Sequence, residues 1–221
     1  MIAGGPAALR AAGVRVVLLD IEGTTTPIAF VHDVLFPYAR ARVAQYLADA
    51  SSHDPETAHI LDGLREEYAR DVARGEHPPA PPTAYALWLM DRDRKSGPLK
   101  TLQGKIWQHG YATGELQGEV YPDVPPALAE WTAAGVRVGI FSSGSVLAQK
   151  LLFSTTPAGD LTRFLTWHFD TAIGPKQHAD SYGAIAKKIG VPPTQILFIS
   201  DSEAELAAAR CTGMHTQLAV R

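Results

Sequence analysis

The chain has 221 residues, 46% hydrophobic and 19% charged, with a formal net charge of -3. That balance suits a soluble globular protein with one sizeable core and a smaller module, and gives no reason to expect nucleic-acid binding. A single cysteine, Cys211, excludes an internal disulfide and a cysteine-based zinc cluster and suits a reducing cytoplasm, and no apolar run approaches membrane-spanning length.

Residues 1–13, MIAGGPAALRAAG, lack the apolar centre of a signal peptide and read as a short frayed lead-in. Val14–Leu19 is an almost continuous apolar run rich in β-branched residues, as expected of a strand buried on both faces. Asp20, Glu22, Gly23 and the hydroxyl run Thr24–Thr26 follow it directly. From Ile28 to Ala50 the spacing of Val31, Val34, Leu35, Tyr38, Val43, Tyr46 and Leu47 predicts helix, with a break or fresh start at Pro37. Ser51–Pro55 is polar, and Asp54-Pro55 can open the next helix, whose apolar stripe is Ile60, Leu61, Leu64, Tyr68 and Val72. Gly75–Pro82 is a loop by composition. Thr83–Met90 is helical, Asp91–Lys95 a solvated charge run, and Leu99–Tyr111 another helix. Trp88, Trp107 and Tyr111 read as core of this helical region.

The pattern then changes. Pro126–Ala134 is a helix ended by Gly135, and Val136–Phe141, VRVGIF, is a strand that runs into Ser142-Ser143-Gly144-Ser145. Val146–Phe153 is helical, and Phe164–Phe169 is a short strand or turn before Asp170. Lys176 stands in a Gly-Pro turn, Ser181–Ile189 is a helix, and Gln195–Ser200, QILFIS, is a strand with Asp201 at its end. Glu203, Glu205 and an alanine-rich helix complete the chain. Strands alternating with helices predict a doubly wound, Rossmann-like parallel sheet. Residues 1–27 and 119–221 form its α/β core, and residues 28–118 a helical insert.

In such a sheet ligands sit at the carboxyl ends of the strands. Standing alone, Asp20 is as much a turn-capping residue as a catalytic one. Three strands end in polar groups, however: Asp20 with Glu22, Ser142 with Ser143, and Asp201 with Glu205, with Lys176 between the last two in sequence. Phosphoryl transfer to a carboxylate needs such a set, because it depends on positioning and on neutralising charge at phosphorus. Asp20 is the candidate nucleophile. Its approach to a phosphate calls for Mg²⁺, which Asp20, Asp201 and a backbone carbonyl could hold. Ser142 and the amide of Ser143 are candidate phosphate ligands, and Lys176 the balancing charge. Glu203 and Glu205 are also ordinary first-turn acids. His32, His109, His168 and His178 show no metal-binding spacing, although His32 and Asp33 follow the first motif closely enough to line a pocket.

The order Asp-x-Glu-Gly-Thr, strand-Ser-Ser, Lys, strand-Ser-Asp resembles the four motifs of the haloacid dehalogenase superfamily. Glu22 stands where most members carry Asp. With DIEGTTTPIAFVHDVLFPYAR, SSGSVLAQKLLF and HFDTAIGPK, the chain is similar to the enolase-phosphatase (acireductone synthase) family of methionine salvage. The similarity runs from about Val14 to Ala219 and is loose across about Asp49–Pro98. It implies a Mg²⁺-dependent enzyme that enolises 2,3-diketo-5-methylthiopentyl-1-phosphate and then removes its phosphate, leaving acireductone. It also implies that Asp20 is nucleophile and metal ligand, and that Glu22 gives its carbonyl to the metal and its side chain as general acid. Ser142 and Ser143 would hold phosphate, Lys176 would contact phosphate and Asp20, Asp201 would complete the metal site, and Glu205 would stand behind it. Members of the family usually continue past the last strand with an Arg-Pro-Gly segment, whereas this sequence ends at Arg221. The resulting expectation is a cytoplasmic monomer acting on a small phosphorylated molecule, with no nucleic-acid or membrane partner. Two other readings are a phosphatase for another small phosphate ester, decided by the insert, and a phosphate-sensing binding module. The second of these has no use for a nucleophile.

Overall fold

The computed structural model describes residues 5–49 and 55–221; the polar stretch expected at residues 51–54 lies outside them. Helix α1 (Pro6–Ala11) corrects the expectation of a frayed lead-in. Proline suits the first turn of a helix, where its missing N–H has no partner to lose, and Leu9 on the inner side is buried. Strand β1 (Val16–Leu19) follows, all four residues without solvent exposure.

The chain divides into two compact units, Met1–Phe30 with Gln117–Arg221, and Val31–Leu116. A π-helical turn, Phe30–Leu35, leads into α2 (Phe36–Asp49), so Pro37 falls in a first turn, where it is tolerated. The second unit continues with α3 (Pro55–Ala73), α4 (Thr83–Asp91) and α5 (Gly97–Thr113). Both α4 and α5 pack on α2 and α3, burying Val43, Leu47, Ile60, Leu64, Tyr85, Leu89, Leu102 and Ile106. Ser96 caps α5 by accepting the Leu99 N–H at 3.2 Å, and Gly114, at φ +76°, ends it. The indole of Trp107 donates to the Leu35 carbonyl at 2.8 Å. Val34 and Val72, expected on apolar stripes, are exposed instead.

A second correction concerns the charge run Asp91–Lys95, which is not simply solvated. Arg94 donates to the buried Asp71 at 3.0 Å and straddles both carboxylate oxygens of Glu76 at 2.9 and 3.0 Å. Tyr85 donates its hydroxyl to the other oxygen of Asp71 at 2.7 Å.

In the first unit, α6 (Val124–Ala133) begins two residues before the expected Pro126, because both prolines fit its first turn. It ends at Gly135, φ +79°. Then come β2 (Arg137–Phe141), α7 (Val146–Ser154), β3 (Leu165–Phe169), α8 (Ala179–Ile189), β4 (Ile196–Ser200), α9 (Glu203–Arg210) and β5 (His215–Leu218). All five strands are parallel, in the order β3-β2-β1-β4-β5. The edge strand β5 was not among the expected strands. Val16, Leu18, Phe141, Ile196 and Phe198 share a buried cluster with Tyr182, Ile185 and Ile189 of α8 and Leu206 and Ala209 of α9. Val17 and Leu19, equally buried, point to the opposite face, as strand alternation requires. The chain runs from β1 outward through β2 to β3 and returns to the other side of β1 at β4. The reversal therefore falls between β1 and β4, and a ligand crevice is expected at the carboxyl ends of these two strands.

Candidate active site

Asp20 is the first residue past β1. Its N–H donates to the Ile199 carbonyl at 3.0 Å, so it is held in line with the sheet although the strand has ended. The residue is 4% exposed. Oδ1 accepts from the Ile21 N–H at 2.7 Å and from Lys176 Nζ at 2.6 Å, and Oδ2 accepts from Ser200 Oγ at 3.0 Å.

The following loop is wound around one carbonyl. Ile21 O accepts the N–H groups of Thr24, Thr25 and Thr26 at 2.9–3.1 Å, and Thr25 Oγ1 donates to the Asp20 carbonyl at 3.0 Å. Gly23 makes the turn possible: its φ is +69°, and any Cβ there would collide with the Asp201 carboxylate. Asp201 is joined to this loop by its own N–H, which donates to Thr24 Oγ1 at 3.0 Å. From outside, the Tyr121 N–H donates to Thr25 O at 2.9 Å. Arg221 donates to Thr24 O and, at 2.7 Å, to Asp123.

Lys176 reaches Asp20 from a turn fixed by the start of α8. Ser181 Oγ donates to Pro175 O and Tyr182 Oη to Lys176 O, both at 2.7 Å. The ammonium also meets Glu205 Oε2 at 2.7 Å. Burial alone would depress its pKa; the charges of Asp20 and then Glu205 outweigh that and raise it above the ordinary lysine value. Glu205 is raised, by burial first and the charge of Asp20 second. Asp201 keeps contact with solvent, yet lost hydration at its carboxylate and then the Asp20 charge raise it too. Three carboxylates, Asp20, Asp201 and Glu205, thus interact here with one ammonium. This donor set fits a hard divalent cation. Among the described residues no group of three or more His, Cys, Asp or Glu side chains could hold a metal ion. Mg²⁺ commonly takes one or two carboxylates and retains water, so Asp20, Asp201 and a backbone carbonyl remain a chemically sufficient set.

Ser142 and Ser143 lie at the carboxyl end of β2, the strand beside β1. Ser142 is buried, its Oγ accepting the Gly144 N–H at 3.1 Å, whereas Ser143 is exposed. No hydrogen bond joins either serine to Asp20 or Lys176 among those described; the link is Phe141, whose ring centre lies 5.9 Å from Lys176 Nζ. Glu22 is half-buried within the turn. Glu203 is exposed and pairs with Arg210 at 3.4 Å, away from the cluster. In the helical unit His32 is exposed and packs edge-on against Phe36. Ser200, present in the strand-Ser-Asp motif, was given no role from the sequence. It is fully buried, and besides its bond to Asp20 its Oγ lies 3.1 Å from Glu205 Oε2 and accepts the Ser202 N–H at 3.1 Å. Its one signal is that it immediately precedes Asp201.

A parallel sheet with a cluster of acids and one lysine at its reversal point suits a class of hydrolase, and the chain belongs to it: the haloacid dehalogenase-like hydrolase family model matches residues 14–213. Among curated proteins, Enolase-phosphatase E1 of Synechococcus elongatus is 53% identical, over 94% of this chain and 89% of the relative. Enolase-phosphatase E1 of Drosophila mojavensis is 48% identical, over 97% and 88%. The crystal structure of the UTR4 protein of Saccharomyces cerevisiae superposes with a TM-score of 0.75 at 35% identity, covering 93% of this chain and 89% of that one. No helix among the described residues is long and apolar enough to cross a membrane.

Proposed function

We propose that this chain is an enolase-phosphatase that enolises 2,3-diketo-5-methylthiopentyl-1-phosphate and hydrolyses its phosphate, giving acireductone. The observation that carries the reading is the buried Asp20 carboxylate, oriented by Lys176 and Ser200 at the β1/β4 reversal point. Residues 1–27 and 119–221 act as the catalytic core, and residues 28–118 as a cap insert.

Asp20 attacks phosphorus while the bond from phosphorus to the substrate oxygen breaks, and Glu22 gives that departing oxygen its proton. Water then attacks the phosphorus of the aspartyl phosphate. The bond to Asp20 breaks, orthophosphate leaves, and Glu22 takes up the water's proton. Ser142 and the amide of Ser143 hold the phosphate oxygens, and Lys176 offsets charge on the phosphoryl group while keeping Asp20 aligned. Asp20, Asp201 and the Glu22 carbonyl are the groups that would hold Mg²⁺, and the ion would supply there the positive charge that lets a carboxylate meet a phosphate and Lewis-acid polarisation of a carbonyl. Ser200 and Glu205 position Asp20 and Lys176. The enzyme works as a monomer; the lone cysteine supports a reducing, cytoplasmic setting.

The test is to incubate the protein with the diketo phosphate and Mg²⁺ and to follow enol absorbance together with phosphate release. Both signals are expected. Phosphate release from unrelated sugar phosphates at equal efficiency, without an enol signal, would replace this reading with that of a general phosphatase.

A further inference from the structure

Gln149 lies on the first turns of α7 and is 1% exposed, yet no step above uses it. Of its three side-chain bonds, one goes to the serine turn and two go to the end of β3. Nε2 donates to the Gly144 carbonyl at 3.1 Å and to the Phe169 carbonyl at 2.8 Å. Oε1 faces His168 Nδ1 at 3.3 Å. Gly144 belongs to the turn that holds Ser142 and Ser143. Phe169 ends β3, where the chain leaves for Lys176. The Phe169 carbonyl also accepts the N–H of Ser142 itself, at 3.2 Å. One amide group therefore ties the serine turn to the end of the strand that leads to the lysine turn.

We infer that Gln149 is a positioning residue that sets the Ser142–Ser143 turn for phosphate, acting through the carbonyls of Gly144 and Phe169. The chemistry favours an amide here. Only a side chain carrying two donors and an acceptor on one short plane can serve two carbonyls and a histidine nitrogen together. A hydrocarbon of equal size would take the side-chain donor from the half-buried Gly144 carbonyl and leave the Phe169 carbonyl with the Ser142 N–H alone, so the two would no longer be held to one group. The rest of the turn is already fixed, by Ser145 Oγ accepting the Ala148 N–H at 3.2 Å and Gly144 N–H donating to Ser142 Oγ. The brace thus acts on direction rather than on whether the turn forms. Small displacements of positioning groups have large effects on rate and affinity.

The inference rests on the reading of Ser142 as a phosphate ligand, so the experiment separates the two. Inhibition by inorganic phosphate and activation by Mg²⁺ are measured for wild type, Ser142→Ala, Gln149→Met and the double variant. Gln149→Met is expected to weaken phosphate inhibition about tenfold and to raise KM more than it lowers kcat, with the Mg²⁺ activation constant unchanged. The double variant is expected to be little worse than the poorer single one, because both changes act through one turn. An unchanged phosphate inhibition constant in Gln149→Met, a parallel loss of Mg²⁺ activation, or fully multiplicative effects would overturn the brace. Ser142→Ala without effect on phosphate inhibition would overturn the reading of the serine turn, and the brace with it. If Gln149→Met fails to fold, Gln149→Glu carries the same test: it keeps the shape and the contact to His168 while losing the amide donor.

Discussion

The two units each bury an aspartate beside a cation, and the difference between them separates scaffold from chemistry. In the helical unit, Asp71 accepts from Tyr85 on one oxygen and from Arg94 Nη2 on the other, and Arg94 Nη1 donates to Glu76. Each carboxylate oxygen of Asp71 and Glu76 has a donor from the protein, and the guanidinium's fork sets the direction of those that Arg94 gives. The main consequence falls on the phenol of Tyr85, whose pKa burial and then the bond to Asp71 push upward. In the sheet unit, Asp20 meets a single ammonium that it shares with Glu205, while Asp201 stands on the neighbouring loop. There the consequence falls on carboxylates, and both Asp201 and Glu205 are raised. One network is closed by its own donors. The other keeps surplus negative charge, three carboxylates against one ammonium, at the carboxyl end of the sheet.

The largest expected effect comes from removing the charge on which the open network turns. Asp20→Asn should lose phosphate release by a thousandfold or more, about 4 kcal/mol of transition-state stabilisation. The melting temperature should stay equal or rise, because repulsion with Asp201 and Glu205 is relieved. Enolisation needs no nucleophile, so the variant, once loaded with Mg²⁺, should accumulate enol phosphate. A marked loss of stability would erase the contrast between the networks.

Next is Lys176→Ala, expected to lower kcat/KM roughly a hundredfold. Lys176→Arg should not restore it, because a planar fork cannot replace a point charge lying 2.6–2.7 Å from two carboxylates. An unchanged KM and kcat would make Lys176 a bystander.

The closed network should answer in stability alone. Tyr85→Phe removes a donor to a buried carboxylate and should cost about 2 kcal/mol by denaturant unfolding. Activity per folded molecule should stay at the wild-type value.

The smallest effect is linked to pH. Asp201 and Glu205 have folded pKa values above those of free carboxylates, so their protonation favours the fold. That contribution is fully present below about pH 4, the unfolded value, and is lost as pH rises through the raised folded values. Lys176, also raised, contributes stability of the same sign in a higher window, fully present below about pH 10, the unfolded value, and lost as pH climbs through its folded value. Mg²⁺ should therefore raise the melting temperature more at pH 8 than at pH 5, in a thermal scan with and without the metal.

The open network was legible in the sequence because its acids recur at the ends of separate apolar strands, with a lysine in the turn between them, and a parallel sheet brings such strand ends to one edge. The closed one was not. Asp71 lies among helical charges and Arg94 in a charge run, and nothing in their spacing says that a loop will fold one onto the other. Ser200 was hidden for the opposite reason, since a serine within QILFIS reads as the tail of a buried strand. Strand β5, HTQL, escaped notice because an edge strand with exposed ends carries little apolar pattern. Helix α1 escaped because six residues are too few for a period.

The central claim is that Asp20 bonds covalently to phosphorus. Acid quenching of the wild-type enzyme in the first turnover with the diketo phosphate and Mg²⁺, followed by peptide mapping, tests it directly. The account predicts a phosphoryl group on the peptide that contains Asp20, at an amount that rises and decays with turnover and is absent in Asp20→Asn. Phosphate released at the full rate with no label on that peptide, or label on another residue, would contradict it.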